Sequence, residues 1–259
     1  MKTWYSKWHN HPLRSYIHWS SFSVISLLLT FSILNAINNI YYPEYTILKT
    51  DKVYADTTTG LVGWWKFDEG SGTSAGDASG SGNNGTLVNG ATWTTGQIGG
   101  AMQFDGVDDY VVSANNPISN YPFSMSVWIK PPTVNGQYYA ISYANSTSNV
   151  IFYALGSNGN VPTAKVYLAT RSSVGDETYL TGNINLIPNQ WTHLAVVLNS
   201  STDRRLYVNG VPDTTSAVSI PFVAGNNIAV GVANRSNKFG YWRSAVDDAR
   251  FYNRALSAT

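Results

Sequence analysis

Cysteine is absent from the 259 residues. Disulfide staples, zinc–thiolate sites and a cysteine nucleophile are therefore excluded. Histidine is nearly absent: of four, only His193 follows residue 18. A hydrolase built on a histidine-ligated metal is excluded by that count. His193 itself lies in "QWTHLAVV", where a histidine packs in or beside the core of a strand. Charge is scarce too, at 12 % of residues, and only Glu69 and Glu177 represent glutamate after residue 60. Residues 1–55 carry five basic and two acidic side chains; the whole chain is +1, so the remainder is about −2. No basic stripe is left to meet a nucleic acid. No stretch after residue 60 sustains a 3.6-residue apolar period, so parallel sheets with crossover helices are not expected.

No Lys, Arg, Asp or Glu lies between Arg14 and Glu44, a stretch densest in Leu, Ile, Val, Phe and Ala from Phe22 to Ile37. Spanning a bilayer takes about 20 apolar residues, and Ile17 to Ile40 reaches that length. Lys2, Lys7 and Arg14 precede it, which leaves the N-terminus in the cytoplasm and the rest outside. Val53-Tyr54-Ala55 also fits a signal-peptidase site, although about twenty residues separate it from the apolar run. An uncleaved anchor and a cleaved signal both stay open, and both export the rest of the chain. The expected organisation is a cytoplasmic stub with a transmembrane or signal helix over 1–40, a linker over 41–59 and one domain over 60–259.

That domain reads as all-β. "FSMSVWIKPP" alternates cleanly, with Phe123, Met125, Val127 and Ile129 on one face, and prolines end it. "WTHLAVVLN" is apolar on both parities, as a buried strand is. "RLYVNGVPD" is a hairpin whose Asn209-Gly210 suits a type I′ turn. "AMQFDGVDDYVVS" reads as a second hairpin, with Met102 and Phe104 on one arm and Tyr110 and Val112 on the other. "NNIAVGVAN" and "SAVDDARFYN" add two strands. Many short strands and turns point to a two-sheet antiparallel sandwich. "GSGNNG", Gly80 to Gly85, matches a dinucleotide loop in spelling. Such a loop must open a helix, and "TLVNGATW" reads as a strand, so these glycines serve a tight loop.

Six segments occur in one order: "GWWKFDEGSGTSAGDASGSGNNGTLVNGATW", "GGAMQFDGVDDYVV", "FSMSVWIKP", "NQWTHLAVVLN", "LYVNGV" and "VDDARFYNRALS". Together, over Leu61 to Ser257, they resemble a laminin-G-like, concanavalin A-like jelly-roll domain of the bacterial surface-protein type. The resemblance implies two curved antiparallel sheets, often one calcium ion, and a non-catalytic binding or adhesion role toward a glycan or a surface protein. Glucanases of the same superfold carry E-x-D-x-E on one strand, which places alternate carboxyls in one groove. That pattern is missing here. Asp176 and Glu177 are adjacent and would face opposite ways on a strand. No catalytic residue is expected. A polysaccharide hydrolase and a structural, self-associating envelope domain remain the competing readings.

Two kinds of site residue are expected. Calcium takes six to eight oxygen ligands. In related sandwiches it sits where the first strand region, an early hairpin and the last strand meet. By that resemblance Asp247 is the first candidate ligand, then Asp105, with Asp68 and Asp77 behind them. Asp108 and Asp109 read as the polar side of the hairpin. Turn chemistry at Asp105-Gly106 would explain that aspartate without any ion, and both readings stay open. Exposed aromatic rings would stack on sugar C–H faces. Trp128 falls on the polar parity of its strand, Tyr138 and Tyr139 come just after a loop, and Tyr241 and Trp242 lie in "KFGYWRS". Core packing is the competing use of every one of them. Asn-x-Ser/Thr occurs at Asn84, Asn145, Asn199 and Asn234.

Overall fold

A computed structural model of the chain describes residues 58–257, apart from 116, 150–151, 161 and 174–175. The expected transmembrane or signal helix lies outside the described residues, as does nearly all of the linker. Among the described residues every regular element is a strand, and no helix is long and apolar enough to cross a membrane.

The strands form two antiparallel sheets of eight. The first runs β14 (Val211–Ser216), β13 (Asp203–Val208), β12 (Thr192–Ser200), β7 (Phe123–Ile129), β16 (Ala245–Tyr252), β5 (Gly100–Gln103) and β4 (Thr92–Thr95), with β1 (Leu61–Trp65) also paired to β16. The second runs β11 (Thr178–Asn185), β10 (Lys165–Arg171), β9 (Phe152–Gly159), β8 (Gly136–Ala144), β15 (Asn227–Val230), β6 (Tyr110–Ser113), β3 (Gly85–Val88) and β2 (Ser74–Ala75). Strand β3 comes directly after the "GSGNNG" loop, in keeping with its non-nucleotide reading.

The core lies between the sheets. Phe123, Met125, Val127 and Ile129 of β7 point into it, as their alternation requires, and meet Tyr143, Tyr153 and Leu155 of the facing sheet in one cluster. Each such side chain contributes about 1.5–3 kcal/mol when fully buried. Phe123 is the hub, with Tyr153 edge-on at 5.1 Å and Tyr121 stacked at 5.7 Å. The Asn209-Gly210 turn takes the two positive φ angles its sequence demands, 52° and 78°.

The second expected hairpin is different. Strand β5 belongs to the first sheet and β6 to the second, so residues 104–109 carry the chain across the sandwich. The inward residue of β6 is Val111, not Tyr110 or Val112; Val111 joins the core cluster. A turn between two apolar arms looks the same in sequence whether the second arm returns to its own sheet or crosses to the other.

One lateral opening of the sandwich is closed by side chains. Asp213 of β14 accepts hydrogen bonds from the Asn183 and Ile184 amides of β11, at 2.9 and 3.1 Å. Arg204 enters the interior from β13. Its Nη1 donates to Thr170 and Thr178, at 3.0 and 3.1 Å, and its Nη2 to Ser216 and the Val218 carbonyl. Entry and exit of the domain are adjacent: Leu61 pairs with Tyr252, and the Asn253 amide donates to the Gly60 carbonyl at 2.9 Å.

Candidate functional site

The 104–109 crossing builds a compact acidic tip. Phe104 is buried and anchors it, Gly106 turns it at φ 79°, and Val107 donates its amide to Asp105 Oδ1 at 2.8 Å. Asp109 folds inward. It is buried, and its two oxygens accept from the Gly90 amide at 2.6 Å and the Asp105 amide at 3.2 Å. Asp108 stays exposed. As a result one carboxylate oxygen from each of Asp105, Asp108 and Asp109 lies within 4.8 Å of the others. Three convergent oxygens from carboxylates that keep unused lone pairs are a donor set for a hard cation. The aspartates read as the polar side of a hairpin therefore join Asp105 in the cluster.

Two tyrosines stand beside this tip. Tyr110 is the residue after Asp109, and its ring lies 6.5 Å from that of Tyr241. Lys238 holds its ammonium 5.5 Å over the Tyr110 ring. Both tyrosines are half-buried. Burial raises the Tyr241 phenol, and the charges of Tyr110 and Asp108 add to that. Arg243 packs against Gly106, where an added Cβ would stand 2.6 Å from its own Cβ. The structure thus joins two expected site residues, Asp105 and Tyr241. Tyr110 was read only as a hairpin arm, its hint being its adjacency to "DD", while Lys238 stands three residues before Tyr241 in "KFGYWRS".

The other expected metal ligands lie apart from this cluster. Asp247 is fully buried; its Oδ2 accepts from the Ile98 amide at 2.8 Å, and its Oδ1 has no hydrogen-bond partner. Burial pushes the carboxyl up to about 6, the hydrogen bond from Ile98 opposes it, and Asp248 adds to the rise. Asp68 accepts from the Gly100 amide at 2.7 Å. The two aspartates therefore grip one turn, residues 96–100, from either side. An added Cβ on Gly96 would stand 2.6 Å from Asp247 Oδ2 and 2.1 Å from the Gly100 carbonyl oxygen. The orphaned, buried Oδ1 is an oxygen donor that a bound cation would satisfy. Asp77 instead closes its own loop, accepting from the amides of Trp64, Ser79 and Asn83 at 2.8–2.9 Å. Burial raises its carboxyl, yet these hydrogen bonds outweigh that and leave it below the usual value. With Lys66, Asp68 and Glu69 it lines a surface cavity of about 380 Å³.

The expected aromatic platforms divide. Trp128 is half-buried on the outer face of the first sheet, its ring 5.3 Å from that of His193. Tyr138 is half-buried and packs against the inter-sheet core, with its hydroxyl on the Asn135 carbonyl. Tyr139 and Trp242 are fully buried and offer no ring face to solvent. The cause is the 231–242 segment, which folds back over β8. The Tyr139 amide donates to the Gly240 carbonyl and the Gly231 amide to the Ala140 carbonyl, both at 2.8 Å. His193 is neutral: burial lowers it to about 4, partly opposed by Asp248. Asp176 caps the turn at Ser172 and Ser173, and Glu69 holds the Gly76 amide at 2.6 Å.

The family model described as the concanavalin A-like lectin/glucanases superfamily matches residues 105–259. No curated protein matches the chain. Among solved structures, domain 4 of AbnA, a GH43 extracellular arabinanase from Geobacillus stearothermophilus, in complex with arabinotriose, is similar. It has a TM-score of 0.61 and 21 % identity over 78 % of this chain and 96 % of that one. The binding domain of Paraclostridial Mosquitocidal Protein 1 has a TM-score of 0.60 and 16 % identity, over 77 % of this chain and 50 % of that one. The binding domain of botulinum neurotoxin serotype D gives 0.58 and 14 %, over 77 % and 49 %. The chain thus spans about half the length of the latter two. At these identities the likeness is one of fold.

Proposed function

We propose that this chain, which belongs to the concanavalin A-like lectin/glucanases superfamily, is an exported, non-catalytic module that binds carbohydrate through the acidic tip and its two tyrosines. One observation carries the reading: the Tyr110 and Tyr241 rings, 6.5 Å apart, stand beside carboxylate oxygens that converge within 4.8 Å. Sugars present both features in complement, C–H faces for rings and vicinal hydroxyls for a cation or carboxylates. Calcium bound at the tip would supply positive charge to those hydroxyls. Asp105, Asp108 and Asp109 are the residues that would hold it there, and Asp247 is a second candidate ligand, at the 96–100 turn. The arabinotriose complex of AbnA domain 4 supports a saccharide as ligand class. The domain is taken as residues 60–259, tethered or exported through the segment before it.

Titration of the full chain with arabinotriose and a glycan panel, in calcium and in EDTA, tests this. Binding that falls about tenfold or more in Tyr241→Ala and on chelation is expected, a loss on the order of 1.4 kcal/mol. Absence of binding across the panel at millimolar sugar, in calcium as in EDTA, would overturn it.

A further inference from the structure

A tyrosine ladder crosses the outer face of the second sheet. Tyr139, Phe152, Ala154, Tyr167 and Ala169 form a cluster separate from the inter-sheet core. Phe239 from the 231–242 segment stands edge-on to Tyr139 at 5.2 Å, Tyr139 lies 6.2 Å from Tyr167, and Tyr179 stacks on Tyr167 at 5.3 Å and 21°. The first members are buried and the last is not: Tyr167 is 5 % exposed and Tyr179 54 %. Among the large hydrophobic side chains exposed in the described residues, Tyr179 is the one aromatic. One of its faces rests on Tyr167; the other is open.

Such a ring is already immobilised by its backing, so a ligand that stacks on it does not freeze a free rotor. Polar groups surround it. Arg171 and Glu177 sit 3.9 Å apart with side chains 19 % and 26 % exposed, too far for a strong hydrogen bond, so each keeps capacity for a hydroxyl. The exposed Thr181 is the cross-strand partner of Tyr167 and projects on the same face. Burial raises the Tyr179 phenol, and the Glu177 carboxylate adds to the rise, which places that carboxylate at the ring's polar end. Arg235 stacks on Phe239 at 4.1 Å and donates to the Asn149 carbonyl, within electrostatic reach of Glu177 and Tyr179.

We infer that Tyr179, with Glu177, Arg171 and Thr181 at its rim, is a second carbohydrate subsite, metal-independent, for the C–H face of a neutral sugar ring. The inference rests on the proposed carbohydrate reading and extends it to a different face. An apolar ring face meets sugar C–H bonds, while the acceptor Glu177 and the donors Arg171 and Thr181 meet equatorial hydroxyls.

The test is titration of the full chain with arabinotriose, xylotetraose and cellotetraose in EDTA, with sedimentation velocity alongside. Expected is a saccharide affinity that survives EDTA, weakens about tenfold in Tyr179→Ala, holds within about twofold in Tyr179→Phe, and is untouched by Tyr241→Ala. The phenylalanine variant separates ring stacking from loss of fold. Binding that survives EDTA but is equal in Tyr179→Ala and wild type overturns the inference while leaving the tip site standing. So does binding abolished by EDTA alone. A Tyr179→Ala effect confined to the sedimentation coefficient overturns it in favour of a contact between copies. No saccharide binding by wild type in any condition removes both sites together.

Discussion

Burial raises the Asp247 carboxyl from 3.8 to about 6, and lowers His193 from 6.5 to about 4. Between about pH 4 and 6 the folded chain keeps a proton on Asp247 that the unfolded chain has released. Stability from that group therefore falls as pH rises, by about 1.4 kcal/mol per unit. His193 runs the other way: over the same interval the unfolded chain binds a proton that the folded one refuses, so stability rises with pH. The two slopes oppose, and the metal-free wild type is expected to be nearly flat. Asp247→Asn should expose the rising slope and His193→Gln the falling one, read as urea midpoints at pH 4.5 and 6. Flat profiles in both variants would contradict these assignments. His193 was legible as a strand histidine beside the core, whereas Asp247 reads as a loop ligand in "VDDARFY" and is buried on β16 with the Ile98 amide of the 96–100 turn on its Oδ2.

At the scale of elements, the clearest sequence signals were local ones. The alternation in β7 and the Asn209-Gly210 turn each depend on a few neighbouring residues, and both stand in the structure. What stayed hidden depends on segments far apart in the chain. Tyr139 looks exposed until residues 231–242 fold over it, and residues 104–109 look like a hairpin until β6 joins the other sheet. The closure of β11 against β14 is of the same kind. Gly182 leaves room for Asp213: a Cβ there would stand 2.0 Å from Asp213 Oδ2 and 2.3 Å from Val166 Cγ1. Asp213→Ala hands two exposed strand amides over to water and should cost about 0.5–1.5 kcal/mol in chemical denaturation. Gly182→Ala should cost at least as much and raise proteolysis near residues 182–185. Wild-type midpoints in both would mean that the two edges hold together without this contact.

For the whole molecule, the sandwich was readable because six segments kept their order, while the site was only half readable. Asp105 and Tyr241 were both expected, but they are linked through Asp108 and Tyr110, which were not. Of the other expected ligands, Asp247 and Asp68 grip the 96–100 turn together while Asp77 closes its own loop. The reason is physical: aspartates that turn a loop and aspartates that bind an ion use the same residue and the same exposed positions. Calcium should separate the two uses. A cation that binds only the folded chain adds about 2.7 kcal/mol at a hundredfold excess over its Kd. The melting temperature should rise with calcium and return with EDTA, more at pH 7 than at pH 4.5, where protons compete for Asp247. A melting point indifferent to EDTA at both pH values would leave all these aspartates as turn formers.

The antiparallel pairing of β1 with β16 brings Gly60 and Asn253 within one hydrogen bond. A load applied at those two points would open that pair rung by rung, as a zipper opens, and would not shear all its bonds at once. The same closeness lets the sandwich be spliced into an exposed loop of a carrier without prying the carrier's own strands apart.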